Sequence, residues 1–241
     1  MITFRYLRGL LSALFLTAIA GYATTTVSVT FDALPTSTVT LDGSTFYAGF
    51  ATATVNGIPN QELICDDFTD QMSANVFHGN DPLVYDFSTL SSDIPLGSSS
   101  GVEFPAEMGT LYEQAAVLVY ELATGSSLTG AQIGDYQAAL WSTLDPSQLP
   151  ASALDANAQA DITAAQHTLS TATAAWLNAL YAGTNIYTPD ANSGYGKYAG
   201  SGAPQEFMQY TPAAAVPEPC TALLGGVLIL AGMSVRRYRY R

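Results

Sequence analysis

The feature that most constrains this chain is where its positive charge sits. Of seven basic residues in 241, six crowd the ends, Arg5 and Arg8 at one and Arg236, Arg237, Arg239 and Arg241 at the other, with only Lys197 between. Twenty acidic residues oppose them, for a formal charge of -13 and a pI near 4.1. A body with a single cation cannot be laced together by ion pairs, so its fold must rest on apolar packing and hydrogen-bonded backbone. The 48% hydrophobic content is ample for a core and excludes an acidic disordered chain. Without clustered Lys and Arg the body has no face for phosphates, which excludes nucleic-acid binding and attraction to anionic lipid.

Both ends read as addresses. Arg5 and Arg8 precede the apolar run 9–20, closed by small residues at Ala18 and Ala20 or at Gly21 and Ala23, the pattern of a secretory signal peptide over residues 1–23. At the other end Val216-Pro217-Glu218-Pro219 is followed by the apolar run 220–235 and then by Arg236, Arg237, Arg239 and Arg241. As a helix that run reaches roughly 24 Å, short of a ~30 Å hydrocarbon core unless its flanks help. The arginines stop transfer and stay cytoplasmic by the positive-inside rule. Pro-Glu-Pro, one short apolar helix and a terminal arginine cluster together resemble the PEP-CTERM sorting signal of Gram-negative bacteria that make exopolysaccharide. The resemblance implies an inner-membrane anchored precursor, cut near Pro217-Glu218-Pro219 by an exosortase-type membrane protease and passed to the cell surface or extracellular matrix. The expected organisation is a signal peptide 1–23, an extracellular domain 24–211, a linker 212–219, a single transmembrane sorting helix 220–235 and a cytoplasmic arginine cluster 236–241. The membrane would be touched only through that helix.

Within the body, residues 25–65 are rich in Thr, Val, Phe and Tyr and carry turn signals at Leu34-Pro35, Asp42-Gly43 and Asn56-Gly57, which predicts several strands and tight turns. Val84 to Phe87 predicts a further strand, and 93–104 a surface loop. Leu111, Ala115, Leu118, Val119 and Leu122 then recur at helical spacing. A second helix follows Gly125-Ser126-Ser127, with Ile133, Leu140 and Leu144 on one stripe and Tyr136 and Trp141 at its margins, and stops at Asp145-Pro146. A third is expected from about Ala151 to Tyr181, ending at Gly183. A Gly- and Tyr-rich stretch from Asn192 to Gly202 leads to a closing strand near Gln205 to Tyr210. The fold class is α+β: an N-terminal antiparallel β region, as a sandwich or partial barrel, a three-helix segment and a closing C-terminal strand.

Gln137 falls inside the apolar stripe of the second helix, at i+4 from Ile133 and one turn before Leu140 and Trp141. A buried carboxamide left unpaired costs roughly 1–3 kcal/mol, so either a backbone group satisfies it or its side chain has reacted. Loss of the tail removes Cys220 and leaves Cys65, at the end of a strand in Glu62-Leu63-Ile64-Cys65-Asp66-Asp67-Phe68, as the one body cysteine. An odd thiol outside the cell points to cross-linking, oxidation or another covalent bond. Sequence spacing does not bring the two together. A Cys after a hydrophobic residue at a strand end, with a later aromatic-Gln-x-x-aliphatic-Trp helix, resembles the thioester domains of bacterial surface adhesins. That resemblance implies an internal thioester between Cys65 and Gln137, with Tyr136 and Trp141 supporting the pocket, that amines on a surface or matrix partner would open. This sequence departs from the family pattern: Ile64 stands where an aromatic or Leu is usual, Tyr136 where Thr is common, and Asp66 and Asp67 oppose thiolate formation. The scarcity of lysine suits a chain carrying an amine-reactive bond and equally suits an ordinary acidic extracellular surface.

Other chemistry is weakly encoded. Asp66, Asp67, Asp70, Asp81 and Asp86 carry oxygen ligands but do not match a Ca²⁺ loop, and read as a solvated acidic face. His78 and His167 stand apart without metal-ligand spacing, so no metal and no cofactor is expected. Gly97-Ser98-Ser99-Ser100-Gly101 is one residue too long for a nucleophile elbow. Glu103, Glu107, Glu113 and Glu121 form no recognisable glycosidase pair. No Asn-x-Ser/Thr acceptor occurs. The sequence therefore predicts an exported, non-enzymatic surface or matrix protein that binds a polysaccharide or protein, its alternatives being an extracellular hydrolase acting on polysaccharide or a structural matrix protein without reactive chemistry.

Overall fold

A computed structural model describes residues 25–68, 82–90, 109–189 and 205–212. The chain divides into two units, Met1–Thr211 and Pro212–Arg241, and everything below concerns the first. The signal peptide, the loop 93–104, Lys197, Val216-Pro217-Glu218-Pro219, the span 220–235 and Arg236, Arg237, Arg239 and Arg241 lie outside the described residues. Among the described residues no helix is long and apolar enough to cross a membrane.

Eight strands and four helices are described. β1 (Thr25–Ala33) is followed by the hairpin β2 (Ser37–Leu41) and β3 (Ser44–Ala48), then by β4 (Phe50–Val55), β5 (Ile58–Cys65) and β6 (Leu83–Thr89). Four helices come next, α1 (Gly109–Thr124), α2 (Gly130–Leu144), α3 (Ala156–Thr171) and α4 (Ala174–Gly183), before β7 (Thr184–Pro189) and β8 (Phe207–Tyr210). The α+β class and the early β region stand as expected. The turns do too: Asp42-Gly43 and Asn56-Gly57 hold positive φ at both central residues (50° and 79°, 48° and 79°), which Asp, Asn and Gly tolerate and the right-handed twist of a hairpin requires.

The sheet is a closed barrel in the order β1-β4-β5-β8-β7-β6, every pair antiparallel, with β2-β3 as a separate two-stranded sheet. The sequence reading of a sandwich or partial barrel lacked β7. That strand shows no clean apolar alternation, since Ile186 and Tyr187 are both buried on opposite faces, and it is only six residues long, ends on Pro189 and starts where α4 stops, so the helix pattern masked it. It bridges β6 to β8, and closure removes the exposed edges an open sheet would keep.

The period of two along each strand divides the core. Val27, Val29, Phe31, Ala51, Ala53, Leu63, Tyr85, Tyr187 and Phe207 fill the barrel, while the adjacent Ile64, Ile186 and Met208 face outward and pack with the helices. Of the predicted helical stripe, Ala115, Leu118, Val119 and Leu122 are buried, and α1 lies between β8 and the other three helices.

The predicted third helix is a correction. Residues 151–181 form a 3₁₀ turn at Ala151–Ala153, then α3, then α4, giving four helices rather than three. Asp155 Oδ1 accepts the N–H groups of Asn157 and Ala158 at 3.0 and 2.9 Å, and Thr173 Oγ1 accepts that of Trp176 at 3.2 Å. These caps start new helices where the Ala- and Thr-rich composition suggested one, because a short polar side chain competes with the backbone ladder.

Candidate functional site

Gln137 and Cys65 meet at one end of the barrel. β5 ends on Cys65, paired with Phe207 of β8 and in the same parity as the inward Leu63. α2 is started by a capping box, with Gln132 N donating to Thr129 Oγ1 at 3.3 Å and Thr129 N to Gln132 Oε1 at 2.9 Å, and is ended at Asp145 before Pro146. The helix crosses the β2-β3 hairpin closely at Gly134, where a Cβ would come within 3.3 Å of Thr38 O and Val39 Cβ. That approach carries Gln137, one turn before Trp141, over the barrel rim.

The carboxamide of Gln137, 1% exposed, is clamped at both ends by backbone. Its Nε2 donates to Cys65 O at 2.6 Å, and its Oε1 accepts the Gly49 N–H at 3.1 Å. Gly49 is the corner between β3 and β4, at φ +96°, and a Cβ there would stand 2.7 Å from Ile133 Cγ2 of α2. Only glycine meets both demands, and the corner frees its N–H for the carboxamide. The sequence reading passed over Gly49, although an isolated glycine between two strand patterns signals close backbone approach.

The Cys65 thiol donates to Asp67 O at 3.0 Å, a carbonyl that also accepts from Gln205 Nε2 at 3.1 Å. Burial pushes this thiol well above the ordinary cysteine value, and the Asp66 and Asp67 charges add to the shift, while the Trp141 side chain opposes it. A cavity of ≈ 260 Å³ opens beside the pair, walled by Phe46, Phe68 and Trp141 and flanked by Leu34, Pro35 and the exposed Tyr47. The three aromatic rings brace one another, with centroids 5.4–6.0 Å apart. Phe46 and Phe68 were absent from the sequence expectation and show no local signal, Phe46 being an ordinary strand aromatic and Phe68 lying in the segment just after β5.

Three sequence placements need correction. Trp141 is 4% exposed and lines the cavity, rather than sitting at the helix margin, because i+4 puts it directly above Gln137. Tyr136 does not line it: its hydroxyl lies toward the acids of the helix layer and is pushed up in pKa by burial, then by Asp161 and Glu121. Asp66 and Asp67 are fully buried, not a solvated face, because the chain leaving β5 passes under β8, where Asp66 N donates to Glu206 O at 3.4 Å. Asp86 is half-buried on β6, and Asp70, Asp81, His78, Glu103, Glu107 and the 97–101 serines lie outside the described residues. Among the described residues no group of three or more His, Cys, Asp or Glu is arranged to hold a metal ion.

No protein-family model matches the chain, and no curated protein does. Among solved structures it is similar to the N-terminal thioester domain of a surface protein from Clostridium perfringens, with 15% identity and a TM-score of 0.41, covering 78% of this chain and 100% of that one. It is also similar to the N-terminal thioester domain of the fibronectin-binding protein SfbI from Streptococcus pyogenes, with 10% identity and a TM-score of 0.37, covering 77% and 94%.

Proposed function

We propose that this chain is an exported, non-enzymatic surface or matrix protein that attaches covalently through an internal thioester between Cys65 and Gln137. One observation carries the reading: a fully buried carboxamide is held in one cavity with the body's one thiol, its carbonyl oxygen on a backbone N–H and its nitrogen on the cysteine's own carbonyl. The condensation joins Cys65 Sγ to Gln137 Cδ and breaks Cδ–Nε2, the thiol proton leaving with the amide nitrogen as ammonia. Negative charge develops on Oε1, where the Gly49 N–H already sits, and holding thiol and carboxamide in one enclosed site lowers the barrier to an exchange that is unfavourable for an amide in water. A primary amine on a surface or matrix protein or polysaccharide then takes Cδ and releases the thiol, leaving an amide link. The bond is made once and the protein stays attached, so no turnover is involved. Export by the N-terminal segment and sorting through Val216-Pro217-Glu218-Pro219 by an exosortase-type protease complete the proposal and rest on the sequence of the two ends.

The same contacts favour a second reading. Both ends of the carboxamide are already satisfied by backbone, as a structural glutamine requires, and the protein would then be a matrix component without reactive chemistry. Intact mass decides between them. The native full-length protein incubated with methylamine is expected to gain one methylamine and expose one alkylatable thiol, with neither change in Gln137→Ala. A folded wild type that takes up no methylamine and presents Cys65 to alkylation at the outset overturns the thioester.

A further inference from the structure

Trp141 Nε1 is a buried donor that makes no hydrogen bond of full geometry, and the Cys65 thiol is the group it acts on. Its side chain lines the same cavity as Cys65 and Gln137, and it lies close enough to the thiol to favour the thiolate. A buried N–H left unpaired is costly, roughly 1–3 kcal/mol, and its retention calls for an explanation. The cavity's other side-chain donors are otherwise placed. Gln205 Nε2 is engaged by Asp67 O, Thr45 Oγ1 lies against Thr40 Oγ1 at 3.3 Å, Tyr47 is 55% exposed, and the Gln137 amide nitrogen is lost once a thioester forms.

Opening of the thioester places a demand at this point. The attacking amine forms its N–Cδ bond, the Cδ–Sγ bond breaks, and the electron pair goes to sulfur before the amine's proton follows it. The sulfur becomes anionic in a buried site whose charged neighbours, Asp66 and Asp67 at the end of β5, both repel it. We propose that the indole N–H of Trp141 is the catalytic donor that receives the Cys65 sulfur as the thioester opens, a role that rests on the thioester reading above. Phe46 and Phe68 both pack against the indole, at 6.0 and 5.4 Å between centroids, and against each other at 5.4 Å, so the donor is fixed before charge develops. One helical turn joins the two functions: Gln137 supplies the acyl group and Trp141 steadies the leaving group.

The test uses the full-length protein and two readouts. Trp141→Phe keeps an aromatic ring against Phe46 and Phe68 but removes the N–H. Methylamine uptake is expected to slow about tenfold in this variant. In a Gln137→Ala background, where no thioester can form, the pH midpoint of Cys65 alkylation by iodoacetamide is expected to rise by about one unit on adding Trp141→Phe. Packing alone would not move that midpoint. Where Trp141→Phe loosens the aromatic cluster, benzothienylalanine at 141, in a Trp176→Phe background, replaces the indole by an isostere lacking the N–H. An unchanged midpoint or an unchanged uptake rate, with wild type taking up methylamine, overturns the role of Trp141 and leaves the thioester standing. A wild type that takes up none overturns the thioester and the donor role with it.

Discussion

The two faces of α2 meet opposite fates. One carries Gln137 and Trp141 into the barrel-end cavity, where the Gln137 carboxamide is met at both ends by backbone. The other carries Asp135 and Tyr136 toward Asp155 and Asp161 of the α3 start and Glu121 of α1, an acidic seam with no lysine or arginine among the described residues to balance it. There, partial burial and then the Asp135, Asp155 and Glu121 charges raise the Asp161 carboxyl to about 6. The difference teaches that, without cations, a buried amide can be satisfied by backbone at both ends, whereas clustered carboxyls raise one another's pKa.

The comparison breaks hardest at Gly49. Gly49→Ala forces an L-residue to φ +96° and a methyl against Ile133, and is expected to destabilise by about 3 kcal/mol in chemical denaturation. Adding Ile133→Ala should recover the steric part only, and full retention of stability by the single variant would contradict the corner geometry. Gln137→Leu fills the same space but orphans the Gly49 N–H and the Cys65 carbonyl, at a cost of about 2 kcal/mol, and calorimetry showing no loss would mean the clamp is not formed. Thr129→Ala removes the capping box that sets the start of α2, for about 1 kcal/mol, and is expected to lower the melting temperature with both faces otherwise intact.

The smallest effect lies on the acidic face. Asp161 has a folded pKa above its unfolded value, so the native state binds its proton more tightly and stability falls as pH rises from about 4 to about 6. Because the group is only partly buried, solvent screening reduces the contribution to a few tenths of a kcal/mol. Asp161→Asn is expected to stabilise by that amount at pH 8 and not at pH 4. Denaturation midpoints equal at both pH values in wild type and variant would show that the seam carries no strain.

What the sequence determined by itself was local. Strand alternation, the Asp42-Gly43 and Asn56-Gly57 turns, the α1 and α2 stripes, the anomaly of an apolar-face Gln137 and a lone Cys65 were all legible, because pleat, turn dihedrals and the 3.6-residue period act within a few positions. The ends of α3 and α4 were legible only in part, since Asp155 and Thr173 are caps that composition hides. What tertiary structure alone decided was long-range: barrel closure through β7, burial of Asp66 and Asp67, the inward turn of Trp141 and the outward turn of Tyr136. The clamp on Gln137 reaches 88 residues back to Gly49 and 72 to Cys65. No periodicity spans such distances. Those contacts follow from which faces pack against which, and only the folded core settles that.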